Sequence, residues 1–144
     1  MKSIIYLGAD HAGFALKEKI KQALVKQGET ICDLSLVFQE GDDYPEHAKR
    51  VSKEITKNRN AKGLLFCGSG VGMIIAANRI KGARAFDAHD EQEVKLARQD
   101  NDANIMALSG WRTSSSKAMK LIRLFLETPF SKAARHQRRI TQLG

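Results

Sequence analysis

Cys67-Gly68-Ser69-Gly70-Val71-Gly72 is the stretch of this 144-residue chain whose residue types carry the most chemistry. Three glycines let the amides of Gly68, Gly70, Val71 and Gly72 approach a ligand, and the helical pattern that follows puts a helix amino terminus beside them, so the stretch reads as an anion cradle. A dinucleotide fingerprint competes for the same residues, with Asp87 lying roughly twenty positions on. Met73, however, stands where the third glycine is required. Cys67 opens the cradle. A helix dipole and nearby cations would lower its thiol pKa and make it a candidate base, against the plainer alternative of an inert buried thiol. The inert reading is adopted for Cys32, which lies inside an apolar run.

A second loop, Gly8-Ala-Asp10-His11-Ala-Gly13, supplies a carboxylate able to bind sugar hydroxyls and an imidazole able to carry a proton or, protonated, to bind phosphate. Its structural alternative is an Asp helix cap with an incidental His. Arg135 and Arg139 are four apart in a helical pattern, so their guanidinium groups share one face, as a phosphate clamp needs, while His136 and Arg138 lie off it. In Arg98-Gln-Asp100-Asn101-Asp102-Ala-Asn104, Asn101 can donate a hydrogen bond to a developing oxyanion, against ordinary turn chemistry. The four histidines are scattered singly and no CxxC occurs, which argues against a metal site.

Positioning these loops requires a scaffold, and its pattern is legible. Short apolar runs at Ser3–Leu7, Thr30–Leu34, Gly63–Cys67, Ala83–Phe86 and Ala103–Leu108 alternate with helical patterns. That alternation predicts one α/β domain over residues 1–144, Rossmann-like, with a five-stranded parallel sheet between helical layers. The commonest order for such a sheet, 2-1-3-4-5, makes strands 1 and 3 neighbours at the switch point, and both candidate loops leave those two strands. Pro129 separates a basic terminal helix, roughly Lys132–Leu143. The net charge of +8 is mostly spread thinly: Lys17, Lys19, Lys21 and Lys26, then Lys49, Arg50, Lys53 and Lys57, fall on helical faces expected to meet water. A nucleic-acid partner would rest on charge alone and is not expected. The apolar start is too short for a signal peptide and no run approaches a membrane span, so a cytoplasmic protein without membrane partners is expected.

Together Gly8-Ala-Asp-His-Ala-Gly13, Asp43-Tyr44-Pro45, Cys67-Gly-Ser-Gly-Val-Gly-Met-Ile-Ile-Ala-Ala-Asn-Arg79, Asn101-Asp-Ala-Asn104 and Arg135-His-Gln-Arg-Arg139 resemble the ribose-5-phosphate isomerase B family, which includes galactose-6-phosphate isomerase subunits. The resemblance runs nearly end to end. It implies a Rossmann-like fold, no cofactor, a homodimer or dimer of dimers, and active sites shared between subunits. It further implies aldose–ketose isomerisation of D-ribose 5-phosphate and D-ribulose 5-phosphate through an enediolate. Cys67 would be the base, Ser69 would assist, and the cradle amides with Asn101 would stabilise the charge. Asp10 would hold sugar hydroxyls, while His11, Arg112, Arg135 and Arg139 would bind phosphate. Two departures stand out. Leu108-Ser-Gly-Trp-Arg112 is one residue longer than the usual segment, and Asp100 stands where many members have the histidine that opens the furanose ring, although some members lack it. The alternatives are a six-carbon aldose 6-phosphate substrate, such as allose or galactose 6-phosphate, and a binding protein without catalysis.

Overall fold

Lys62–Cys67 and Ile105–Ser109 are apolar without alternation, and strands of that kind need cover on both faces. The computed structural model, which describes residues 2–144, gives them that cover. Eleven elements follow in order: β1 (Ile4–Ala9), α1 (Phe14–Lys26), β2 (Thr30–Asp33), α2 (Tyr44–Lys57), β3 (Lys62–Cys67), α3 (Val71–Ala77), β4 (Ala85–Asp87), α4 (Glu91–Asn101), β5 (Ile105–Ser109), α5 (Ser115–Glu127) and α6 (Ala134–Leu143). Five parallel strands form one sheet in the order β2-β1-β3-β5-β4. The α/β class, the five parallel strands, the β1/β3 switch point and the basic final helix are those expected, but the last two strands exchange places relative to 2-1-3-4-5. The reason is burial. β5 is buried at all five residues and takes the interior, whereas the three residues of β4 are only half-buried and suit an edge.

Side chains alternate between two cores. On one face Leu64, Phe66, Met106 and Leu108 pack with Leu16, Ile20 and Leu24 of α1, Val94 of α4 and Leu121, Ile122 and Phe125 of α5. On the other, Leu65, Cys67, Ile105 and Ala107 pack with Ala48, Val51 and Ile55 of α2 and Met73, Ala76 and Ala77 of α3. The Cys67 side chain therefore belongs to the α2/α3 face. Lys17 corrects the expectation of a solvated basic face, because it is fully buried. Its ammonium meets Glu18 at 2.9 Å and Asp33 at 2.8 Å and also donates to the Ser35 carbonyl, while Lys21 reaches the same Asp33 oxygen at 2.7 Å. A buried charge needs such partners, and these tie α1 to the chain leaving β2. No helix among the described residues is long and apolar enough to cross a membrane.

Candidate active site

Parallel register brings three strand ends to one edge: Ala9 pairs with Phe66, and Cys67 with Ser109. The loops that leave them interlock. The Asp10 amide donates to the Phe66 carbonyl at 3.2 Å, and the Gly13 amide donates to Asp10 Oδ1 at 3.0 Å. Gly13 admits no side chain, since a methyl there would lie 2.1 Å from the Phe66 carbonyl carbon. From the other side, the Gly110 amide donates to the Cys67 carbonyl at 2.7 Å, while the Trp111 amide and the Ser109 hydroxyl donate to the Gly68 carbonyl. Asp10, Cys67 and the cradle are thus held by backbone, and Arg112 follows in the same turn, exposed, with its amide on Ser109 Oγ at 3.1 Å.

Cys67 is 4% exposed, and its Sγ accepts the Gly70 amide at 3.1 Å. Burial pushes the thiol above its ordinary value of 9.0, helped by the Asp10 and Asp87 carboxylates and opposed by the amides of Gly70 and Met73. This corrects the expectation of a lowered pKa: the charged groups that act on the sulfur are carboxylates, not cations, so the resting group is a thiol. Ser69 Oγ accepts the Val71 amide at 3.3 Å, at the first turn of α3, whose leading amides have no partner within the helix. Gly70 has φ +91°, and a methyl there would stand 3.2 Å from Asp87 Oδ1. Asp87 therefore packs against the cradle, its carboxyl raised by burial and paired with His89 at 2.9 Å. Two aromatic rings cover the other glycines, Trp111 over Gly68 and Tyr44 over Gly72.

His11 is exposed but oriented. Its amide and Nδ1 meet Asp42 Oδ1 at 2.7 and 3.1 Å, and that hydrogen bond to the Asp42 side chain raises the imidazole pKa. Asp42 Oδ2 meets His47 Nε2 at 2.7 Å, His47 Nδ1 meets Ser35 Oγ at 2.7 Å, and Ser35 Oγ accepts the Ala9 amide at 3.1 Å. Although burial pushes the Asp42 carboxyl up, the His11 amide and both imidazoles hold it below the usual carboxylate range. The result is a polar chain from the end of β1 to an imidazole favoured in its charged form. Sequence reasoning missed Asp42, His47 and Ser35. The available signal was Asp42 itself, one residue before the Asp43-Tyr44-Pro45 motif.

The remaining candidates lie at the opposite edge of the sheet. α4 returns the chain to where β5 begins, so Asp100 and Asn101 stand at the amino ends of the strands, a whole strand from Cys67. Five residues of β5 at about 3.3 Å each make that roughly 16 Å. Arg84, just ahead of β4, donates through Nε to the Asn101 carbonyl at 2.9 Å. The buried His136 of α6 meets Asp100 Oδ1 at 3.3 Å, which docks α6 on α4 and leaves Arg135 and Arg139 exposed at this same edge. One chain therefore carries two separate clusters: Asp10, His11, Cys67, Gly68 to Gly72 and Arg112 at one edge, and Asp100, Asn101, Arg135 and Arg139 at the other. Among the described residues no three His, Cys, Asp or Glu side chains form a group able to hold a metal ion.

Residues 5–143 match the model of the Ribose/Galactose Isomerase family. The chain belongs to that family. It is 38% identical over 141 residues to ribose-5-phosphate isomerase B of Mycobacterium tuberculosis, covering 97% of this chain and 87% of that one. Among solved structures, a ribose 5-phosphate isomerase from Thermotoga maritima superposes with a TM-score of 0.94 at 40% identity, over 99% and 98% of the two chains. Ribose-5-phosphate isomerase B from Mycoplasma genitalium, solved with bound ribulose-5-phosphate, gives 0.92 at 36% identity over 99% and 95%. Membership in the Ribose/Galactose Isomerase family thus extends over the whole fold, including both clusters.

Proposed function

We propose that this protein interconverts D-ribose 5-phosphate and D-ribulose 5-phosphate with its own side chains. Cys67 takes the proton from C2 of the aldose and returns it to C1 through an enediolate. The thiol must be ionised for this step, and the Gly70 amide that already donates to the sulfur stabilises the anion that burial disfavours. The cradle amides and Asn101 stabilise the enediolate oxygens, Ser69 assists the transfer, and Asp10 holds sugar hydroxyls. His11 in its protonated form, with Arg112, Arg135 and Arg139, holds the phosphate, and Asp100 or His11 takes the acid/base part in ring opening. The full-length similarity to relatives named for this reaction, one of them solved with ribulose-5-phosphate, supports the substrate. A six-carbon aldose 6-phosphate, which the same chemistry would serve, is the second reading, favoured by the absence of a histidine at position 100.

The observation that carries the proposal is the separation of the two clusters, because no single small sugar phosphate spans a strand length. In a two-fold dimer the Cys67 cluster of one copy faces the Asn101 and Arg139 cluster of the other, and each site draws on both chains. The test is complementation. Cys67→Ala and Arg139→Ala, each defective alone, are co-expressed and assayed for ketose formation from ribose 5-phosphate. Random pairing makes about half of the dimers mixed, each with one intact site of two, so about a quarter of wild-type activity returns. No recovery in demonstrably mixed dimers refutes the shared site, and no turnover by the wild type refutes the reaction.

A further inference from the structure

Trp111 is the only tryptophan of the chain and is 72% exposed, although it sits on the most tightly built part of the site. Its backbone is mounted rigidly. The Trp111 amide donates to the Gly68 carbonyl at 3.3 Å, the preceding Gly110 amide donates to the Cys67 carbonyl at 2.7 Å, and Ser109 Oγ accepts the following Arg112 amide at 3.1 Å. Gly110 itself is pressed against the β1–α1 loop, where a methyl would lie 2.4 Å from the Ala12 carbonyl oxygen. The indole lies directly over Gly68. A methyl on Gly68 would stand 2.4 to 2.6 Å from Cζ2, Cε2 and Cη2 of the ring, so the ring occupies the space that the glycine leaves open beside Cys67. The rest of the ring is uncovered. Holding so large an apolar surface in water does nothing for the core, whereas a ligand site made of amides and carboxylates gains from one rigid apolar wall.

We propose that Trp111 determines specificity: its indole is the wall that limits the length of sugar phosphate accepted between the Cys67 cradle and the phosphate-binding arginines. The inference rests on the isomerase reading above and adds what selects the substrate within it. A five-carbon chain lies along the ring, its C–H bonds against the indole face, and an additional CHOH unit meets the ring edge. Discrimination over one carbon unit in such a pocket amounts to roughly 10- to 200-fold. Removing the indole opens the space over Gly68 that its ring atoms occupy.

The experiment compares kcat/KM for ribose 5-phosphate and allose 6-phosphate in the wild type, Trp111→Phe and Trp111→Ala, and follows the single tryptophan's fluorescence as pentose phosphate is added to the wild type. In Trp111→Ala the preference for the pentose is expected to fall at least tenfold, with KM for ribose 5-phosphate rising and kcat changing little, and Trp111→Phe lies between. Wild-type fluorescence is expected to shift saturably over the concentrations that saturate turnover. An unchanged pentose-to-hexose ratio together with fluorescence blind to substrate overturns the wall. Because wild-type turnover of ribose 5-phosphate is read in the same assay, failure of the reaction and failure of the wall are distinguishable.

Discussion

Replacing Gly13 by alanine sets two effects of opposite sign against each other. Gly13 precedes α1 with φ −97°, a conformation any residue adopts, and a glycine-to-alanine change at such a position ordinarily stabilises by about 0.4–1 kcal/mol through the unfolded chain. The contacts say otherwise. The new methyl would lie 2.1 and 2.2 Å from the Phe66 carbonyl carbon and oxygen and 2.6 Å from the Cys67 nitrogen, and all three are backbone atoms of a central strand. Carbon atoms prefer about 3.5–4.0 Å, so the β1–α1 loop must retreat by more than about 1 Å. That retreat also strains the 3.2 Å hydrogen bond from the Asp10 amide to the Phe66 carbonyl. Overpacking of roughly 1–3 kcal/mol plus a lost hydrogen bond of about 1 kcal/mol outweighs the entropic gain, leaving a net loss of about 1–3 kcal/mol. At about 3–4 °C per kcal/mol for a domain of this size, Tm falls by roughly 3–12 °C. Because Asp10 moves away from Cys67, kcat/KM falls as well, by up to about a hundredfold for a 1 Å misplacement. Thermal denaturation followed by circular dichroism, paired with ketose formation, checks both numbers. A variant at least as stable as the wild type with unchanged kcat/KM would refute the interlocked loops.

Cys67→Ala is expected to abolish isomerisation while leaving pentose phosphate binding, measured by calorimetry, nearly intact. Because burial raises this thiol above its ordinary value of 9.0, the thiolate fraction of the free enzyme still climbs beyond pH 9. Alkylation of Cys67 by iodoacetamide therefore accelerates through that range, and an inflection near neutrality would contradict it. Asp42→Asn removes the hydrogen-bond partner that raises His11, so the imidazole pKa drops toward 6.5 and its charged fraction at pH 7 falls. Proton NMR of the imidazole reads that drop directly, and KM for the phosphate ester rises with it. Asp100→His is expected to raise turnover of ribose 5-phosphate, since imidazole both accepts and donates a proton near neutral pH. High wild-type turnover that is unchanged or reduced in the variant would make Asp100 a competent native group.

The cradle, the Asp10-His11 loop and the arginine pair were legible because each is local. A glycine-rich turn after an apolar run, or two arginines four apart, states its chemistry within a few positions, and the alternation of strand and helix patterns places the first two loops at one end of neighbouring strands. What lay outside the sequence depends on which distant segments meet. Asp42 reaches His11 across 31 positions, and no periodicity signals it. Lys17 reads as one more lysine on a charged helix face, yet the chain leaving β2 closes over it and supplies Asp33 and Ser35. A helix dipole and nearby cations predict a lowered Cys67 thiol, yet it is raised because desolvation and two carboxylates, Asp10 from the loop after β1 and Asp87 from β4, act through space. The exchange of β4 and β5 likewise follows from how much of each strand the helices bury. Sequence alone thus determined the residue types and the strand ends that carry them. Tertiary structure alone decided that Arg135 and Arg139 join Asn101 a strand's length from Cys67, because α6 docks on α4 through His136 and Asp100, a contact between distant segments that no local pattern contains.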